Sequence, residues 1–147
     1  MDECRAGIFF APVSENPMLR IIPTKVHGVL DYMAGLLLIA LPTILGFDSQ
    51  LTETWVMVIL GIITLLYSIV TRYELSFASL ISMRTHLWLD FLSGVVLAAS
   101  PWLFHFSERV YLPHVVFGLG EILIVLLTNP VAEDSPRPRI APKAPRD

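Results

Sequence analysis

Apolar residues run through this chain in four long blocks separated by short polar breaks, and that pattern predicts four helices. The first follows Pro23 and Thr24, which suit a helix start, and is expected from Val26 to Gly46. Phe47 to Glu53 makes a polar turn. Thr54 to Thr71 is an uncharged run of 18 residues, long enough to approach the thickness of a bilayer core. A second pair is expected over His86 to Phe106 and Tyr111 to Thr128, joined by a tight turn at Ser107 to Val110 and stopped by Asn129-Pro130. Between the pairs, Tyr73 to Thr85 mixes charge with Leu75, Phe77, Leu80 and Ile81, the pattern of a short amphipathic turn at an interface.

The two pairs are copies. Sliding the chain by 59 positions without a gap sets His27 on His86, Leu30 on Leu89, Asp31 on Asp90, Gly35 on Gly94, Leu38 on Leu97, Pro42 on Pro101 and Phe47 on Phe106. The same offset carried onward pairs Val56 with Val115, Leu60 with Leu119, Gly61 with Gly120 and Ile63 with Ile122. The repeating unit is therefore a helical hairpin, with repeat 1 over 27–70 and repeat 2 over 86–129. At about 100° per residue, positions 27, 31, 35, 38 and 42 share one narrow stripe, as two equivalent helices facing each other require. The expected fold class is all-α, a polytopic membrane protein of four transmembrane helices built as two tandem, parallel-repeat hairpins.

Composition agrees with a lipid environment: 54% of residues are hydrophobic and 16% charged, against about 25% charged in soluble domains. The chain has one cysteine, Cys4, which excludes an internal disulfide and any Cys-based metal motif. No basic patch interleaved with aromatics appears, so no nucleic-acid partner is expected. Residues 1–25 read as an N-terminal tail too acidic at Asp2 and Glu3 for a signal peptide. Residues 129–147, with Pro136, Pro138, Pro142 and Pro145 among charges, read as a disordered tail. Four spans put nine of the ten Lys and Arg residues on one side and only Arg109 on the other. The positive-inside rule then expects both termini and the 73–85 segment in the cytoplasm of a cell (inner) membrane. Trp55, Trp102, Phe47, Phe106, Tyr111, His105 and His114 are expected in the outer aromatic belt, and Tyr32, Tyr73 and Trp88 in the inner one.

Late in the third block the chain reads Ser100-Pro101-Trp102 within an apolar stretch closed by Phe106. This resembles the SPW-repeat family of small integral membrane proteins, over roughly residues 26–128; the first copy keeps only Pro42 of the tripeptide. The resemblance implies a paired-helix membrane unit and no biochemical activity. Physically, Pro42 and Pro101 lack an N–H and free the Leu38 and Leu97 carbonyls, so a kink is expected, with Ser100 offering its hydroxyl to a nearby carbonyl and Trp102 anchoring the bend.

His27 and Asp31 lie four apart on one helix face, as do His86 and Asp90, and the duplication brings all four together. A carboxylate is costly in hydrocarbon, so each Asp needs a partner, with the histidines nearest and Lys25 and Arg84 next. The leading reading is a polar lock between helices one and three, with Gly35, Gly94, Gly61 and Gly120 permitting close helix packing. A second reading takes His27, Asp31, His86 and Asp90 as ligands for Zn, Mn or Fe. A third takes Asp31, Asp90 and Glu121 as carriers in a small proton or cation conductor. Glu121, paired by the repeat with Ile62, lies off the stripe of Val115, Leu119 and Ile122, so it is expected to face another subunit. No catalytic triad, phosphate loop or aqueous carboxylate pair is present, so no enzyme is expected and no cofactor is assigned. The functional expectation is a structural or accessory membrane component whose partners are the lipid bilayer and a second copy or another membrane protein.

Overall fold

The computed structural model describes residues 20–49, 51–71 and 80–129. They form α1 (Thr24–Ile44), α2 (Thr52–Val70), α3 (Met83–Leu103) and α4 (Leu112–Leu127), with no strand longer than an isolated bridge among the described residues. The protein is an all-α bundle of two hairpins, α1 with α2 and α3 with α4. Three helices are long and apolar enough to cross a membrane, and α4 is a shorter apolar one of 16 residues, about 24 Å at 1.5 Å per residue. The expected disordered tail and most of the amphipathic 73–85 segment lie outside the described residues.

Local chemistry sets the helix ends. Ser82 caps α3 by accepting from the Thr85 backbone N–H at 3.2 Å, which starts the helix three residues before the expected His86. Pro42 and Pro101 sit in the last turn of α1 and α3, and both helices end two residues beyond them. The carbonyl of each proline then accepts from the aromatic five residues on: Phe47 N–H to Pro42 at 2.8 Å, Phe106 N–H to Pro101 at 2.8 Å. Between them Gly46 (φ 71°) and His105 (φ 57°) occupy the left-handed region, the αL position of a Schellman close. This stop is why α1 and α3 end before the expected Gly46 and Phe106. The Ser100 hydroxyl donates to the Leu97 carbonyl at 2.7 Å, the group that Pro101 leaves without its helical donor.

The repeat is real, but its second half runs at a different offset. Gly35 packs on Gly61, and Gly94 packs on Gly118, not on Gly120. The helix α2 and α4 caps are Thr71 and Thr128, and both glycines and both threonines are 57 positions apart. From Phe106 to Gly118 the second copy is two residues shorter than the first from Phe47 to Gly61, which a gapless comparison cannot see. Gly120 therefore takes no part in packing: a Cβ there would meet nothing within 4 Å. The glycines also serve a different contact from the one expected, closing each hairpin on itself instead of joining α1 to α3.

The same two-fold relation is written in the backbone. At the end of the bundle near the chain termini, Ile22 N–H donates to Leu127 O (3.0 Å) and Asn129 N–H to Ile22 O (2.9 Å), while Ile81 N–H donates to Val70 O (3.1 Å). The entry to each first helix is thus tied to the exit of a second helix, α1 to α4 and α3 to α2. Midway along the bundle Leu38, Met57 and Leu97 form a fully buried apolar layer. Leucines and isoleucines at Leu36, Ile62, Leu66, Leu92, Leu119 and Leu123 face outward, as a lipid-facing surface requires.

The register of the glycines and the left-handed stop are each open to test by substitution. A Cβ on Gly118 would lie 2.5 Å from the Gly94 carbonyl oxygen, so Gly118→Ala should lower stability by about 2 kcal/mol through overpacking, whereas Gly120→Ala should hold or raise it by up to about 1 kcal/mol through helix propensity. Relieving the left-handed backbone with His105→Gly should stabilise the hairpin by about 1 kcal/mol. Unfolding in detergent micelles, followed by helical circular dichroism, measures all three.

Candidate functional site

Residues His27, Asp31, His86 and Asp90 converge between α1 and α3 and are all buried. Their shortest contacts cross between the hairpins: His86 Nε2 to Asp31 Oδ2 at 2.8 Å and His27 Nε2 to Asp90 Oδ2 at 3.0 Å. Contacts within one helix are longer, His86 Nε2 to Asp90 Oδ2 at 3.1 Å and His27 Nε2 to Asp31 Oδ1 at 3.4 Å. Each imidazole Nε2 therefore stands between two carboxylates, and each carboxylate between two imidazoles. The two rings meet edge to face at 5.3 Å. The expected gathering of these residues is present, and the carboxylates are met by His and Tyr, not by Lys25 or Arg84, which are exposed.

The far nitrogen of each ring is held by a helix-capping threonine. His86 Nδ1 lies 2.8 Å from Thr71 Oγ1 and His27 Nδ1 lies 2.9 Å from Thr128 Oγ1. Thr71 donates its one hydroxyl hydrogen to the Tyr67 carbonyl (2.7 Å), and Thr128 donates its own to the Ile124 carbonyl (2.6 Å). Each threonine oxygen can then only accept, so both Nδ1 atoms carry the hydrogen. What remains at each Nε2 is either a second hydrogen or a lone pair aimed at the carboxylates. Tyr67 completes the frame by donating to Asp90 Oδ1 at 2.5 Å, with Thr64 beside it at 3.2 Å.

Reading the sequence did not find Tyr67, Thr71 or Thr128. A signal existed, since both threonines end their apolar runs immediately before the polar residues Arg72 and Asn129. The gapless 59-residue comparison set Thr71 against Pro130 and hid it.

Glu121 lies on the inward side of α4. The face of α4 that packs carries the buried His114, Gly118 and Thr128, with Glu121 and Ile122 both against Gly94, while Leu119 is exposed, so the stripe of Val115, Leu119 and Ile122 is not centred on the inner face. Its counterpart is Thr64, not Ile62, by the 57-residue offset. Glu121 lines a cleft with His27, Asp31 and Asp90 instead of facing another subunit.

A second polar cluster closes the opposite end. Arg109 donates twice to Glu53, Nε to Oε1 and Nη2 to Oε2, both at 2.9 Å, a bidentate pair that joins the α3–α4 turn to the start of α2. That pairing raises the Arg109 pKa above its ordinary value. His114 Nε2 lies 3.0 Å from the Glu53 carbonyl, and the Phe106 and His114 rings meet at a tilt of 55° with centroids 4.9 Å apart. Both of those rings are fully buried, so neither belongs to an outer aromatic belt; Trp55, Trp102, Tyr111 and Trp88 are exposed. His105 is exposed as well.

Removing either threonine hydroxyl leaves a buried imidazole N–H without an acceptor. Thr71→Val and Thr128→Val should each cost about 1–3 kcal/mol, although valine matches the volume, and unfolding in micelles measures the loss. Ser68→Ala is the control, because the Ser68 hydroxyl is buried without a partner and its removal should cost little.

Neither a curated relative nor a solved structure matches the chain. A family model, the SPW repeat domain, matches residues 25–128, the span that holds both hairpins, both proline stops and all four members of the His/Asp centre. This chain is a membrane protein of the SPW repeat family.

Proposed function

We propose that this protein is a membrane-embedded bundle whose two hairpins are clamped by a divalent transition-metal ion held between His27, Asp31, His86 and Asp90. The observation that carries this is the orientation of the imidazoles: with Nδ1–H committed to threonine, each Nε2 faces the shared carboxylates, and it is the Nε2 proton that a metal ion would replace. A hydrogen bond on the remote ring nitrogen is the usual support of a metal-bound histidine. One donor atom from each of the four residues lies within 4.8 Å of the others, a spread that a small inward adjustment brings to a four-coordinate site. Imidazole with carboxylate suits Zn, Mn or Fe(II).

Charge supports the same reading. Two carboxylates buried in hydrocarbon demand two positive charges. Two imidazolium ions supply them, and so does one divalent cation with neutral imidazoles, so ion entry releases about two protons and leaves the site neutral throughout. All four positions come from one chain, with no second copy needed, and they leave no open coordination position, which suits a structural role better than a catalytic one. The leading sequence reading, a polar lock between α1 and α3, is thereby kept, with the ion as its bolt. The apolar layer of Leu38, Met57 and Leu97 begins about 16 Å along α1 from His27 and separates the two polar ends, an arrangement unfavourable to the conductor. On the positive-inside argument the metal end faces the cytoplasm of a cell membrane.

Metal content of protein extracted in mild detergent and dialysed against Zn, Mn or Fe(II) tests the proposal. About one ion per chain is expected for the wild type, about two protons released per ion, and loss of the ion in His27→Ala/His86→Ala. Thr71→Val should weaken binding about tenfold or more while leaving the ligands in place. A wild type that retains no more metal than the double variant would falsify the metal clamp.

A further inference from the structure

The two-fold relation between the hairpins is broken at one place, and the break makes a cavity. Between α2 and α3, Tyr67 fills the groove and reaches Asp90, with Ile63 one turn before it. At the equivalent positions between α1 and α4 the chain has Ile124 and Gly120, and a Cβ on Gly120 would meet open space. The result is a cleft of about 670 Å³ along α1 and α4, in the range of small-molecule sites. Met33, Leu36 and Val116 at its mouth are more than half exposed on the apolar outer surface, so it opens sideways toward acyl chains.

Its inner wall is acidic. Glu121 replaces the Thr64 of the other half, and among the described residues its buried Oε2 has only the Ser93 hydroxyl, which replaces Ala34, near it, outside good hydrogen-bond geometry. Among the described residues no Lys or Arg lines the cleft, and both nitrogens of His27, the one basic side chain among them there, are already engaged. A buried carboxyl oxygen left without a donor costs free energy that a bound donor would recover. We infer that this cleft binds an amphiphilic amine from the bilayer, its apolar body along α1 and α4 and its ammonium group on Glu121. A phospholipid amine fits less well, because its phosphate would travel to the same depth and no cationic side chain is there to receive it.

The cleft borders His27, Asp31 and Asp90 of the proposed clamp, but Glu121 and Gly120 are not ligands, so the variants below leave the metal ligands in place and metal content reads the clamp separately. Protein in phosphatidylcholine nanodiscs is photolabelled with dodecylamine carrying a chain diazirine, beside the matching dodecanol probe, and the adducts are mapped by mass spectrometry. Amine adducts are expected on α1 near Met33–Leu37 and on α4 near Val116–Ile124. They should fall about tenfold in Glu121→Gln, the loss of one charge-assisted hydrogen bond, and similarly in Gly120→Leu, which fills the cleft. Unlabelled dodecylamine, not dodecanol, should compete on the wild type, a result that needs no variant to fold. Equal labelling by the alcohol, or undiminished amine labelling in Glu121→Gln, overturns the proposal. So does complete competition by phosphatidylethanolamine, which would make the occupant a lipid headgroup.

Discussion

The structure depends on two imidazoles and two carboxylates crossing between hairpins inside a medium that cannot solvate them. His27 reaches Asp90 and His86 reaches Asp31 more closely than either reaches the partner on its own helix. That crossing decides the arrangement of the bundle. Apolar surface does little to bring helices together in lipid, where acyl chains are as apolar as leucine, so specificity falls to polar contacts and close backbone packing. Here the two devices are divided: Gly35 with Gly61 and Gly94 with Gly118 close each hairpin, and the His/Asp centre joins one hairpin to the other.

Everything around the centre serves to hold it at fixed geometry. The threonines do double duty, since each returns its hydrogen to a carbonyl of its own last turn and offers its oxygen to an imidazole. Helix termination and side-chain orientation are therefore the same event. The backbone links of Ile22 with Leu127 and of Ile81 with Val70 lie beside these caps and keep the termini-proximal end from splaying. At the far end, Glu53 and Arg109 make the complementary tie with full charges, at the level where water is near enough to receive the exposed guanidinium.

Duplication made the centre, and divergence after duplication made the cleft. A symmetric pair of hairpins would carry a tyrosine on both sides or on neither. With Tyr67 against Asp90 and Ile124 in the equivalent place, Asp90 has a phenol to brace it that Asp31 lacks, and both carboxylates border the open volume beside Glu121. Two nearly equal halves thus have different tasks, one closing the bundle and the other leaving it open to the bilayer.

Much of this was legible before any coordinates. Apolar run lengths and a repeat at 59 positions determined the four helices, their pairing and the meeting of His27, Asp31, His86 and Asp90, because hydrocarbon forces helices and penalises a lone carboxylate. The missing donor at Pro42 and Pro101 was legible too, though as an expected kink, where the structure ends each helix two residues beyond the ring. Only the tertiary structure decided which glycine packs, which way Glu121 turns and what holds the imidazoles. Two residues lost between Phe106 and Gly118 leave the hydrophobic pattern almost unchanged yet rotate the inner face of α4 by about 200° relative to a gapless reading. Periodicity within a helix constrains its own faces; which face meets a neighbour is settled by contacts that no single helix contains.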